Sequence, residues 1–119
     1  MNHGTSLFRV LDRGSYAQVV IAPGKLPAWA YADLVVHIRA APVKPLLVIW
    51  EASPEDLDFL QAFNMGMALA GVAARIAIVF GRGYINDTDR FTELVARNRG
   101  AQVRTCDDVP SAKAWLGVD

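Results

Sequence analysis

The sequence predicts an α/β fold: a mixed five-stranded sheet, opened by a hairpin and flanked by four helices. Two segments carry most of that reading. Leu46-Leu47-Val48-Ile49-Trp50 and Ile76-Ala77-Ile78-Val79-Phe80 are apolar at every position, without the alternation of a sheet that has one wet face. Such strands need cover on both sides, as in a parallel sheet sandwiched by helices. A third observation sets the start. Gly14 separates two strand-like runs, residues 7–13 and 15–22, which read as a tight antiparallel hairpin.

The remaining elements follow in order. Pro23-Gly24-Lys25-Leu26-Pro27 is a turn, and Pro27 suits the start of a helix that runs to about Ala41, where Pro42 stops it. A second helix is expected from Pro54 to about Val72, between the two apolar strands. A third spans Asp87 to Asn98, capped by Asn86 or Asp87 and closed by Gly100. A short strand from Gln102 to Cys106 and a last helix from Val109 to Leu116, stopped by Gly117, complete one domain over residues 1–119.

Composition narrows the function. Twelve basic and twelve acidic side chains leave no net charge, whereas binding to a phosphate backbone calls for a basic excess. Nucleic acid is therefore not an expected partner. One cysteine excludes an internal disulfide and any cysteine-rich zinc cluster, and no metal or cofactor is expected. No apolar run approaches the roughly 20 residues of a membrane span, and the first residues do not read as a signal peptide. The expected setting is the cytoplasm.

Arg75-Ile76-Ala77-Ile78-Val79-Phe80, then a helix, then Gly100-Ala101-Gln102-Val103-Arg104 and Ala112-Lys113-Ala114-Trp115-Leu116, resembles the SpoIIAA-like family. That family is a branch of the STAS fold, related to anti-sigma-factor antagonists and CRAL-TRIO domains. The resemblance implies a first strand antiparallel to the rest and a binding or regulatory role without catalysis. Sigma-factor antagonists carry an aspartate-serine-serine/threonine-glycine turn before the second helix, whose serine is phosphorylated. Glu51-Ala52-Ser53-Pro54-Glu55 stands there instead. A phospho-switch through Ser53, acting on an anti-sigma-like kinase, is thus an alternative that the resemblance raises and the motif does not supply.

Read for local chemistry, Ser53 is a helix cap: a serine, a proline at the first helical position and an acid three residues on. Glu51, Gly81-Arg82-Gly83 and Cys106-Asp107-Asp108 all end strands, and open α/β sheets bind ligands beyond those ends. A small enzyme using Cys106, Glu51 and Arg82, with Asp107 nearby, is the second alternative. It lacks a base for the thiol. His3 is terminal, and His37 lies one turn from Asp33 on the first helix, where the two suit an exposed pair. Arg90, Glu93 and Arg97 share a helix face, and Arg97, Arg99 and Arg104 suggest a small basic patch. A solvated face explains them, and a partner's carboxylates or acidic head groups are the sharper reading.

The most informative stretch is uncharged. Residues 59–74, Phe-Leu-Gln-Ala-Phe-Asn-Met-Gly-Met-Ala-Leu-Ala-Gly-Val-Ala-Ala, carry no charge over sixteen positions. A helix on a sheet buries one stripe. Phe59, Phe63, Met67 and Ala70, with Leu60 beside them, are expected to face the core. Met65, Leu69 and Val72 then fall outward. On the first helix, Ala30, Tyr31, Leu34, Val35 and Ile38 form the core stripe, and Trp29 and Val36 lie opposite it. Each large apolar side chain left in water forgoes about 1.5–3 kcal/mol of burial, so a second cover is expected. Trp29, Val36, Phe63, Met65, Met67 and Leu69 are the interface candidates. The expected occupants are a second copy in a homodimer, a lipophilic small molecule or a peripheral membrane contact.

Overall fold

The computed structural model describes residues 8–22, 27–40, 44–51, 58–80 and 85–119. Strand β1 (Phe8–Asp12) pairs antiparallel with β2 (Ala17–Ile21), and Gly14 turns between them at φ +85°. Only glycine adopts that backbone without strain. Strand β3 (Leu46–Trp50) lies parallel to β2, β4 (Arg75–Phe80) parallel to β3, and β5 (Gln102–Cys106) parallel to β4. The sheet order is β1-β2-β3-β4-β5. The expected class, an antiparallel opening strand on an otherwise parallel sheet with four helices, is the class observed among the described residues.

Sequential order dictates where the helices go. Each parallel crossover steps one strand in the same direction, and right-handed crossovers then put every connecting helix on one face. Helix α1 (Ala28–Ala40), α2 (Phe59–Leu69) and α3 (Asp87–Asn98) accordingly cover Val19, Ile21, Val48, Trp50, Ile76 and Ile78. Helix α4 (Val109–Leu116) follows β5 and lies on the second face, over Leu47, Ala77 and Val79. The apolar run of β3 and β4 is explained by this double cover. Trp50 stacks on Phe80 at 5.8 Å within the first layer.

Local signals fix the helix ends. Asn86 accepts the Asp89 amide at 2.9 Å while the Asp89 carboxylate accepts the Asn86 amide at 3.0 Å, a reciprocal cap. Gly117 stops α4 at φ +76°. Helix α2 departs from expectation. It begins at Phe59, not Pro54, because Asp58 is extended and its carboxylate accepts the Gln61 amide at 2.8 Å. Ser53 and its capping sequence lie outside the described residues. The helix closes at Leu69, ahead of Gly71 rather than at Val72.

The two faces of α2 are also reversed. Ala62, Met65, Gly66 and Leu69 are buried, whereas Phe59, Leu60, Phe63 and Met67 are 58, 65, 40 and 41% exposed. The cause is a close approach between α2 and α3. A Cβ on Gly66 would stand 2.7 Å from Val95 Cβ and 2.8 Å from the Thr92 carbonyl oxygen. The stripe that holds Gly66 and Ala62 is the one that lets the backbones meet, so it turns inward and the bulkier stripe turns out. Met65 and Leu69, expected to face outward, belong to the core with Val72.

Candidate functional site

Three regions bear on function. The first is the carboxyl edge of the sheet. Glu51 and Asp107 are exposed there, and Ser53 and Arg82 lie outside the described residues. Cys106 is buried on the α4 side of the sheet. Burial pushes its thiol pKa up; Arg104 opposes this, while Glu93, Asp107 and Asp108 add to it. A thiol held protonated by its surroundings is a poor nucleophile. Glu51 follows β3 while Cys106 ends β5, with β4 between them, so about 10 Å of sheet separates the two backbones.

Among the described residues no histidine stands beside the thiol. His37 lies on α1, its ring edge-on to Phe8 at 5.4 Å, with Nδ1 2.9 Å from the Asp33 carbonyl and 3.7 Å from its carboxylate. The pair is exposed, as its spacing suggests. The sheet order never reverses among the five strands, so the crevice that binds ligands at a topological switch point does not arise. Among the described residues no group of three or more His, Cys, Asp or Glu is placed to hold a metal ion.

The second region is the outer face of the helical layer. Phe59, Phe63 and Met67 follow one another at four-residue spacing along α2, with Leu60 beside Phe63. Phe59 meets Phe91 of α3 edge-on at 5.4 Å, and Leu94, one turn beyond Phe91, is 52% exposed. The apolar surface therefore continues from one helix onto the next. On α1, Trp29 and Val36 are 47 and 65% exposed, on the side the sequence assigns them. Inward, α1 is tied to α2 by the Tyr31 hydroxyl, which donates to the Gln61 side-chain carbonyl oxygen. Burial, with the nearby Asp58 carboxylate, raises the pKa of that phenol.

Of the six interface candidates, Trp29, Val36, Phe63 and Met67 stand at the surface and Met65 and Leu69 do not. Phe59, Leu60 and Leu94 were hidden from sequence reasoning. For Phe59 and Leu60 the signal is Gly66, because a glycine inside an apolar helix marks the side of closest approach.

The third region is a groove of about 1110 Å³ along β5, between α3 and α4. It is lined by Arg90, Glu93 and Arg97 of α3, by Arg104 and Thr105 on opposite sides of the β5 edge, and by Trp115 of α4. Glu93 is committed within it. One carboxylate oxygen accepts the Thr105 amide at 2.6 Å and lies 3.2 Å from the Thr105 hydroxyl, and the other stands 3.4 Å from Arg97.

Comparison with protein families, curated proteins and solved structures finds no match for this chain. No helix of the described residues is long and apolar enough to cross a membrane.

Proposed function

We propose that this domain is a non-catalytic binding or regulatory module of STAS-like type that acts through the apolar outer face of α2 and α3. One observation carries the reading: Phe59, Leu60, Phe63 and Met67 stand 40% or more exposed on the uncharged helix α2, and Leu94 of the neighbouring α3 is exposed as well. Soluble monomers seldom leave large apolar groups contiguous unless they bind something. The opening hairpin, the sequential sheet and the closing alanine-tryptophan-leucine pattern support the STAS-like assignment. A cytoplasmic setting belongs to the same proposal.

A second copy of the chain is the occupant favoured here. A two-fold contact presents one patch to itself, and an uncharged helix stripe meets its own copy without like-charge repulsion. Helices α2 and α3 each return to a parallel strand, so they run the same way. Packing them against a two-fold mate in the antiparallel sense brings the acidic start of α3, at Asp87, toward its basic end, at Arg97 and Arg99. An 11-residue helix is only about 16 Å long. The contact is therefore smaller than the roughly 800 Å² per partner of a standard interface, and the dimer is weak and reversible.

Light scattering of the purified protein over a wide concentration range tests this, with mass spectrometry of co-purifying apolar compounds. The reading predicts a concentration-dependent dimer free of small molecules. A monomer carrying a lipophilic compound would move the occupant to that compound. A ligand-free monomer at every concentration, without affinity for vesicles, would overturn the reading.

A further inference from the structure

We propose that the groove along β5 is a second, separate docking site, and that it takes an acidic segment of a partner protein. The proposal does not depend on the apolar face. The groove lies on the adjacent side of α3, since Arg90 and Glu93 each precede by one residue, or about 100° of helix, the outward Phe91 and Leu94.

The architecture makes the groove. Among the described residues strand β5 is the edge of the sheet and pairs with β4 alone, while α3 and α4 lie on opposite faces beside it. The resulting trough exceeds the roughly 300–1,000 Å³ of small-molecule pockets and opens to solvent, a shape suited to a length of chain.

Charge selects the occupant. Three arginines line the trough, Arg90 and Arg97 from α3 on one side of the sheet edge and Arg104 of β5 on the α4 side, against the carboxylates of Glu93 and Asp107. Glu93 is already spent on Thr105 and Arg97. Arg90 and Arg104 form no ion pair among the described residues. The chain as a whole is neutral, so this cationic surplus is local rather than a general property of the surface. A second copy would bring the same arginines against themselves, which argues for a partner of opposite charge.

Trp115 supplies an anchor. The Arg75 guanidinium stacks 4.3 Å from its ring and holds the half-buried indole in place. Arginine and tryptophan beside one another are the residues that dominate binding energy at interfaces. Clustered arginines recognise carboxylates or phosphates on peptides.

Fluorescence anisotropy with a labelled decamer of glutamate, its lysine counterpart and a dT10 oligonucleotide tests the proposal. The glutamate decamer is expected to bind, more weakly as salt rises, and the lysine decamer is expected not to bind. The double variant Arg90→Glu/Arg104→Glu should weaken binding at least about tenfold. Arg90→Gln/Arg104→Gln should give an intermediate loss. Both side chains are exposed, so circular dichroism should be unchanged. The control Arg9→Glu/Arg13→Glu, an equal charge reversal at the opposite edge of the sheet, should bind like the wild type. An equal loss in that control, tighter binding of dT10 than of the glutamate decamer, or no binding of glutamate at all would overturn the proposal.

Discussion

Helices α2 and α3 lie side by side on the same face of the same sheet, with 11 and 12 residues, yet they are finished differently. Helix α3 buries Thr92, Val95 and Ala96, turns Arg90 and Arg97 toward water and commits Glu93 to Thr105, so its polar side is satisfied by solvent and by hydrogen bonds. Helix α2 carries no charge and is apolar on both sides, with Ala62, Met65, Gly66 and Leu69 inward and Phe59, Leu60, Phe63 and Met67 outward. Packing against the sheet and α3 accounts for the inner stripe alone. In the proposed reading the outer stripe of α2 is the centre of the contact, because it stays exposed in the fold.

Breaking the outer stripe is expected to have the largest effect. Leu60→Glu places a charge in the middle of the proposed contact, where it must be desolvated without a partner. The dimer dissociation constant should rise at least about hundredfold, or roughly 2.7 kcal/mol. Sedimentation velocity reads it, and the thermal midpoint of the dilute monomer should hardly change, because Leu60 is 65% exposed.

The inner stripe is tested next. Gly66→Ala improves helix propensity by about 1 kcal/mol but drives a methyl group against the Thr92 carbonyl and Val95, where overpacking costs up to about 3 kcal/mol. Urea denaturation should show a net loss of about 2 kcal/mol. A gain would mean that α2 and α3 stand further apart than described.

Two smaller changes sharpen the comparison from the side of α3. Glu93→Ala removes the charged acceptor of the Thr105 amide and hydroxyl and should cost about 1.5 kcal/mol in the same assay. Asn86→Ala opens the reciprocal cap and should cost about 1 kcal/mol. The smallest effect concerns Cys106. With its pKa raised by burial, the native thiol should react slowly with a thiol reagent through neutral pH and react fully only once the protein is unfolded. Fast reaction of the folded protein at neutral pH would restore the case for an enzyme.

Much of the fold was legible because it rests on local patterns. The unbroken apolar runs of β3 and β4, Gly14 between two strands, Asn86 three residues ahead of Asp89 and Gly117 after Leu116 each have one ready physical meaning. The facing of α2 was not legible, because both of its stripes are apolar and size favours the wrong one. What decides between them is a tertiary contact, Gly66 against Val95, which no periodicity contains. The start of α2 was misplaced for a similar reason: Ser53 and Asp58 are both good caps five residues apart, and sequence alone does not rank them. The arginines beside β5 were visible as a patch, but Trp115 as their neighbour depends on α4 crossing to the second face.

The central claim is that a second copy covers the outer stripe of α2, and isotope-filtered nuclear Overhauser measurements on a mixture of labelled and unlabelled protein test it most directly. The account predicts cross-subunit contacts between the Phe59 and Phe63 rings of one copy and the Leu60 and Met67 methyl groups of the other. Dimers that show no such contacts, or a chain that stays monomeric at the concentrations of the experiment, would contradict it.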